Sequence, residues 1–296
     1  MRLIASTPEN ALFSYRHGFH AGNHADVLKH IVLTHILRYF NQKETPYWFI
    51  DLHAGAGLYD LEGQWAQKKG EYLGGIAPVW AAKNPPAAVL HYLDLIKGLN
   101  PDGELRIYPG SPWVALESCR EQDKLRLFEL HPSEADILRL NIEHRGSRSA
   151  RQTNIYAEDG FAGLKAHIPP PSRRAIVLID PSYEDKNDYR HVVVTLKDAL
   201  QRFPTGCYAV WYPQVLRREA QDLPRQLERI AGNSWTHASL SIQKPAPDGL
   251  GLYGSGMFII NPPWTLNAEM KQTLPWLVST LGVDARAAYK LDFLEK

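Results

Sequence analysis

The sequence predicts an α/β fold: a seven-stranded, mostly parallel sheet with one antiparallel edge strand and a small helical subdomain inserted after the first strand. Three observations predict it. Tyr47-Trp48-Phe49-Ile50-Asp51-Leu52-His53-Ala54-Gly55-Ala56-Gly57 is an aromatic and β-branched run that ends in an acid and a Gly-Ala-Gly turn. Ala175 to Ile179 is a continuous apolar run, as a strand buried on both faces of a parallel sheet requires, and it delivers Asp180-Pro181-Ser182-Tyr183 to its end. Between them, two short strand patterns end in Glu129 and Asp159. An open α/β sheet binds ligands beyond the carboxyl ends of its strands, so these acids fall together at one edge.

The 296 residues suffice for one large domain or two smaller ones. Hydrophobic residues make up 44% and charged residues 22%, an ordinary globular composition. The 33 Lys and Arg nearly balance the 32 Asp and Glu, so bulk charge neither demands nor excludes a polyanion partner. Cys119 and Cys207 give no disulfide framework. Glu9 interrupts the start, no long apolar segment follows, and no run is long enough to span a membrane. The expectation is a cytoplasmic protein with no evident obligate protein partner.

Residues 1–46 read as a lead-in followed by a helix that covers the site. Asn23 is placed to cap it, and Val27, Leu28, Ile31, Val32, His35, Ile36 and Phe40 form its core-facing stripe. His20 and His24 are four apart, but no Cys or well-placed acidic third ligand accompanies them, so zinc is not expected. Arg16, Lys29 and His30 are candidates to reach a ligand pocket from this segment.

Residues 47–57 and 108–281 form the main domain, and 58–107 the inserted helical subdomain. Within the insertion, Ile76 to Ala81 and Ala87 to Leu99 are helical patterns, broken by Pro85-Pro86 and closed by Pro101 and Gly103. Lys68 and Lys69 are candidate phosphate contacts beside the pocket, as are Lys83, Lys97 and Arg106.

After the insertion, Tyr108-Pro109-Gly110-Ser111-Pro112 is a tight turn. Ser111 either caps the following helix or hydrogen-bonds a carboxylate of a ligand. Glu129 can accept two hydrogen bonds from vicinal ribose hydroxyls. Asp159 can accept one from an exocyclic amine of adenine, and Gly160 offers a backbone N–H. Asp180-Pro181-Ser182-Tyr183 suits an aromatic amine, with the carboxylate and a carbonyl accepting its hydrogens and the tyrosine ring clamping the base.

The remaining elements are a helix over 191–203, strands over 206–213, 235–242 and 256–260, helices over 216–231 and 270–281, and a charged tail over 282–296. Residues 245–254 read as a hairpin link. Asn261-Pro262-Pro263-Trp264 is a second polar-Pro-Pro-aromatic motif. It follows the seventh strand rather than the fourth, and so reads as a strand-ending turn with an aromatic plug.

Taken in order, these strand ends resemble the bacterial 23S ribosomal RNA adenine-N6 methyltransferase family over nearly the whole chain. The most specific segments are Tyr15-Arg16-His17-Gly18-Phe19-His20-Ala21-Gly22-Asn23-His24-Ala25-Asp26-Val27-Leu28-Lys29-His30 and Asp51-Leu52-His53-Ala54-Gly55-Ala56-Gly57. The resemblance implies a Rossmann-like class I methyltransferase sheet with a small helical insertion, S-adenosyl-L-methionine as methyl donor, and no metal. It implies that His30, His53, Ser111, Glu129, Asp159 and Gly160 contact the donor. It makes Asp180 the catalytic acid and sets Tyr183 beside the target adenine, with Tyr15 and Lys29 at the border of the site. The partner is then 23S rRNA, preferably protein-free. A DNA adenine, a protein glutamine, or nucleotide or RNA binding without catalysis are the alternative readings.

Overall fold

The computed structural model describes residues 19–247 and 251–295, so Tyr15 and Arg16 lie outside the described residues. The first element is helix α1 (His24–Phe40). Asn23 caps it as expected, its side chain accepting from Ala25 N and Asp26 N, both at 3.0 Å. Val27, Leu28, Ile31, Val32, Leu33, Ile36 and Leu37 are fully buried. A helix apolar on so much of its surface must be packed on several sides, and α1 is.

Strand β1 (Trp48–Asp51) follows, then a two-stranded antiparallel ribbon, β2 (Leu58–Asp60) and β3 (Ile107–Pro109). The ribbon brackets α2 (Gln64–Lys69), α3 (Ile76–Ala81) and α4 (Ala87–Leu99). The chain continues through α5 (Ser111–Ser118), β4 (Lys124–Phe128), α6 (Pro132–Arg145), α7 (Ser147–Gln152), β5 (Thr153–Tyr156), α8 (Gly160–Gly163) and β6 (Ala175–Ile179). It ends with α9 (Asn187–Arg202), β7 (Cys207–Gln214), α10 (Arg218–Ile230), β8 (Trp235–Ser241), β9 (Gly254–Ile260), α11 (Leu266–Leu281) and β10 (Ala288–Leu294).

The main sheet has eight strands in the order β10-β8-β9-β7-β6-β1-β4-β5, one more than expected. From β7 to β5 every pairing is parallel. The antiparallel strand β9 is not at the edge; it lies between β7 and β8 and pairs with both. The edge is β10, drawn from the segment expected to be a tail and antiparallel to β8. Part of the β8–β9 link, residues 248–250, lies outside the described residues.

Both faces of the sheet are covered, and period-two alternation divides each central strand between two cores. On β6, Ile176 and Leu178 join the core that includes α1, α5 and α11, while Ala175, Val177 and Ile179 join the core that includes α9 and α10. That division explains why the strand reads as an unbroken apolar run.

Because β9 runs antiparallel, Asn261-Pro262-Pro263-Trp264 leaves the sheet at the edge opposite the carboxyl ends of the parallel strands. Asn261 Nδ2 donates to the carbonyls of Pro204 and Gly206, both at 2.8 Å, at the entry to β7. Trp264 is 75% exposed, so it is not the plug expected of it.

Candidate active site

Strand order reverses around β1, which has β4 on one side and β6 on the other. The loops leaving its carboxyl edge therefore diverge and open a crevice. A cleft of 620 Å³ lies there, lined by the turn after β1 (Leu52–Gly55) and by Glu129–His131, Asp159–Phe161 and Asp180–Ser182. Lys29 reaches it from α1, Tyr59 from β2 and Ser111 from α5.

The turn after β1 is built for close approach. Gly55 and Gly57 have φ of +62° and +80°, a region L side chains rarely enter. Glu129 ties this turn to the β4 loop. Its Oε2 accepts from Gly55 N at 2.8 Å and its Oε1 from His131 N at 2.7 Å. Burial pushes the Glu129 carboxyl up to about 7, against the downward pull of these two hydrogen bonds. Asp159 is exposed and caps α8, accepting from Phe161 N at 2.9 Å. Gly160 packs so tightly on β1 that a Cβ there would strike the Leu52 carbonyl oxygen.

A polar network runs beneath and across the cleft. Asp180 Oδ2 accepts from Lys29 Nζ at 2.5 Å, and the same ammonium lies 2.8 Å from Asp26 Oδ1. Burial alone would lower the Lys29 pKa, but the Asp180 and Asp26 carboxylates outweigh it and hold it well above the usual lysine range. Lys29 is thus a buried, paired cation. Asp180 N donates to His53 Nδ1 at 3.2 Å. Burial pushes His53 down to about 3, so its ring is neutral and Nδ1 can accept that bond. Ser111 Oγ donates to Asp51 Oδ2 at 2.6 Å, and His53 N donates to Asp51 Oδ1 at 3.1 Å. Asp51 is fully buried, and burial raises its pKa to about 6.

A family model described as Ribosomal RNA large subunit methyltransferase D, RlmJ, matches residues 44–294. The chain belongs to this RlmJ family. It is 45% identical over 270 residues to Ribosomal RNA large subunit methyltransferase J of Escherichia coli K12, covering 91% of this chain and 94% of that protein. It is 42% identical to the protein of the same name from Haemophilus influenzae, covering 96% and 99%. A crystal structure of a Legionella pneumophila protein superposes with a TM-score of 0.85 at 36% identity, covering 94% of this chain and 99% of that one. The protein is a methyltransferase with a Rossmann-like sheet, and the family and fold imply S-adenosyl-L-methionine as donor.

Within this RlmJ-family site, the sequence-derived residues divide into two groups. Lys29, His53, Ser111, Glu129, Asp159, Gly160 and Asp180 all line the one cleft. His30 is fully buried behind it, its Nδ1 2.9 Å from Tyr108 Oη, which in turn meets Tyr92 Oη at 2.7 Å. Ser111 is not the helix cap: Gly110 holds that position, and the serine hydroxyl is spent on Asp51.

Tyr183 departs most from expectation. Its ring is 4% exposed, packed at 4.5 Å from Tyr189, and its hydroxyl donates to the Trp211 carbonyl at 2.7 Å. The ring therefore faces the core and does not clamp a base in this arrangement. A positive φ of +54° turns the backbone at this residue, and Arg217 Nη1 holds its carbonyl at 3.0 Å.

Lys68 and Lys69 are exposed outside the cleft, each with Nζ 5.8 Å from the centre of the Phe19 ring. Among the described residues, no group of three His, Cys, Asp or Glu side chains could hold a metal ion. Sequence reasoning passed over Tyr59 and Phe161. Phe161 presses edge-on against His53 at 4.8 Å, and its position beside the Asp159-Gly160 strand end was the available signal.

Proposed function

We propose that this protein transfers a methyl group from S-adenosyl-L-methionine to N6 of an adenine in 23S ribosomal RNA, acting in the cytoplasm on RNA free of ribosomal proteins. The observation that supports it most is the Asp180 carboxylate at the end of β6, bordering the same cleft as Glu129 and Gly160. One wall fits a nucleoside and the other an aromatic amine.

On the donor side, Glu129 is placed to accept from vicinal ribose hydroxyls, since a carboxylate has lone pairs beyond the two already engaged. Asp159 and the Gly160 backbone fit the adenine ring of the donor. His53 and Ser111 steady the β1 end, and the buried His30 ties α1 to Tyr108 of β3. The donor supplies an electrophilic methyl on a sulfonium, so the difficulty lies with the nucleophile.

That nucleophile is a weak one, because the N6 lone pair is delocalised into the adenine ring. Hydrogen bonds accepted by Asp180 and by the Pro181 carbonyl bias the nitrogen toward tetrahedral geometry. Alignment with the methyl supplies much of the remaining advantage. Lys29 fixes the carboxylate in place at 2.5 Å. The N6 proton becomes acidic once the methyl is attached, so Asp180 need not be a strong base. Tyr183 supports this loop from the core side.

The test is methyl transfer from labelled donor into protein-free ribosomal RNA, assembled subunits, duplex DNA and protein extract. N6-methyladenine in protein-free 23S rRNA is the expected product. Label in DNA or protein instead would overturn the substrate class. Donor binding without transfer to any of them would make the chain a binding module.

A further inference from the structure

A second cavity lies three strands from the catalytic loop, on the sheet face partly covered by α10. It has a volume of 380 Å³ and is lined from β7, β8, α10 and the β10 edge. Gly256 of β9 lies beneath the Tyr212 ring that lines it. A Cβ there would collide with the Tyr212 ring, which lies over it. Ser239, paired with Gly256 on the next strand, is too small to fill the space.

The floor is His237, 4% exposed. Its Nε2 meets Tyr212 Oη at 2.7 Å, while its Nδ1 makes no hydrogen bond. Asp292 Oδ2 lies 4.0 Å from that Nδ1, beyond hydrogen-bond range, and is itself paired with Lys290 Nζ. A buried polar atom without a partner costs free energy that a ligand can recover. Burial pushes His237 down to about 4, so the imidazole facing the cavity is neutral near pH 7.

The other lining groups narrow the ligand class. Tyr253 contributes a second aromatic ring, and Arg225 adds a cation to the lining beside the carboxylate of Glu228, while Lys290 is engaged by Asp292. A flat heteroaromatic ring joined to an anion matches that combination, as a nucleotide does. The cavity also shares an edge with the active site: Gln214 and Val215 line it where β7 ends, beside the loop that carries Asp180. Three strand spacings put it roughly 14 Å from the end of β6. We propose that this cavity binds one unpaired nucleotide of the RNA strand that carries the target adenine, a few positions along from it. Bases splayed from the strand and stacked on aromatic side chains are how proteins read single-stranded RNA. The assignment rests on the rRNA methyltransferase reading.

The experiment uses the full chain and fragments of 23S rRNA that it binds, each also assayed for methylation. Abasic residues are placed one at a time along each side of the target adenine. One flanking position should raise the RNA Kd about tenfold, the loss expected for one stacked base. Tyr253→Ala and the cavity-filling Ser239→Leu should each weaken the intact RNA similarly, yet add little further loss on the sensitive abasic RNA. Donor binding in the cleft reports that each variant is folded, and Arg225→Gln tests the same pairing from the surface. Additive losses, or no sensitive position, overturn the proposal. Free nucleoside monophosphates form the second arm. Their binding at this cavity, lost in Ser239→Leu while no abasic position matters, assigns the site to a free nucleotide and also overturns it. If no fragment is methylated but the coupling appears in binding alone, the cavity assignment stands and the reaction reading fails.

Discussion

Asp180 is held from two directions: Lys29 Nζ engages the carboxylate at 2.5 Å, and His53 accepts from its backbone N–H. Replacing the carboxylate with an amide leaves the loop anchored but alters the group that faces the amine. Asp180→Asn should lower turnover by roughly 10²- to 10⁴-fold while donor binding stays measurable by calorimetry. Unchanged turnover would remove Asp180 from the mechanism. Glu129 gives a pH prediction of definite sign. Its pKa is raised to about 7, and only the ionised form accepts well from ribose hydroxyls. Donor affinity should therefore rise with pH through about 7 and level off above it. Glu129→Gln should weaken donor binding by about 1.5–3 kcal/mol, the range for hydrogen bonds to a charged group, and flatten the pH dependence. A wild-type profile that is flat from pH 6 to 8 would sink this role.

At the scale of elements, the site depends on α8 lying hard against the end of β1, which only glycine at 160 allows. Gly160→Ala should cost about 1–3 kcal/mol of stability, because a Cβ must push the helix off the Leu52 carbonyl. Donor affinity should fall with it. Gly74→Ala, where nothing lies within 4 Å, is the matched control and should leave both unchanged in thermal and calorimetric titrations. Equal behaviour of the two variants would show that the close packing at 160 does not matter. The same packing logic explains which elements could be read from the sequence. Strands β1 and β6 were legible because burial on both faces leaves unbroken apolar runs. Strand β10 was not: Lys290 and Asp292 alternate with Tyr289, Leu291 and Phe293 at a half-exposed edge, which reads as a charged tail. The position of β9 was hidden because pairing partners are not encoded in a strand's own pattern. The acids at the strand ends were legible because each ends a strand. The direction of the Tyr183 ring depends on a positive φ and on Trp211, 28 residues away, and neither is visible locally.

On the scale of the molecule, charge is segregated although the total is only +1. Among the described residues, Glu129, Glu134, Asp159, Asp180, Glu184, Asp185 and Asp188 line the cleft, against Lys29 alone among lysines and arginines. That wall suits a cationic donor and repels phosphate, so an RNA strand must be gripped outside the cleft while one unstacked adenine enters it. Flipping an adenine out of a stable stack costs roughly a few kcal/mol, so the proposed substrate is naked, locally open RNA rather than an assembled subunit. Lys68 and Lys69 are exposed beside Phe19, where the amino-terminal segment meets the insertion, and Arg16 precedes Phe19 by three residues in the sequence. They are the proposed phosphate grip. Charge-neutral replacement of all three should raise the RNA KM and lower the slope of log Kd against log salt by about one for each phosphate no longer neutralised, with donor affinity little changed. The two readouts separate a grip from a merely solvated surface, because a solvated lysine releases no counterion when RNA binds. If the RNA KM and its salt slope both stay at wild-type values, the strand is held by another face of the protein.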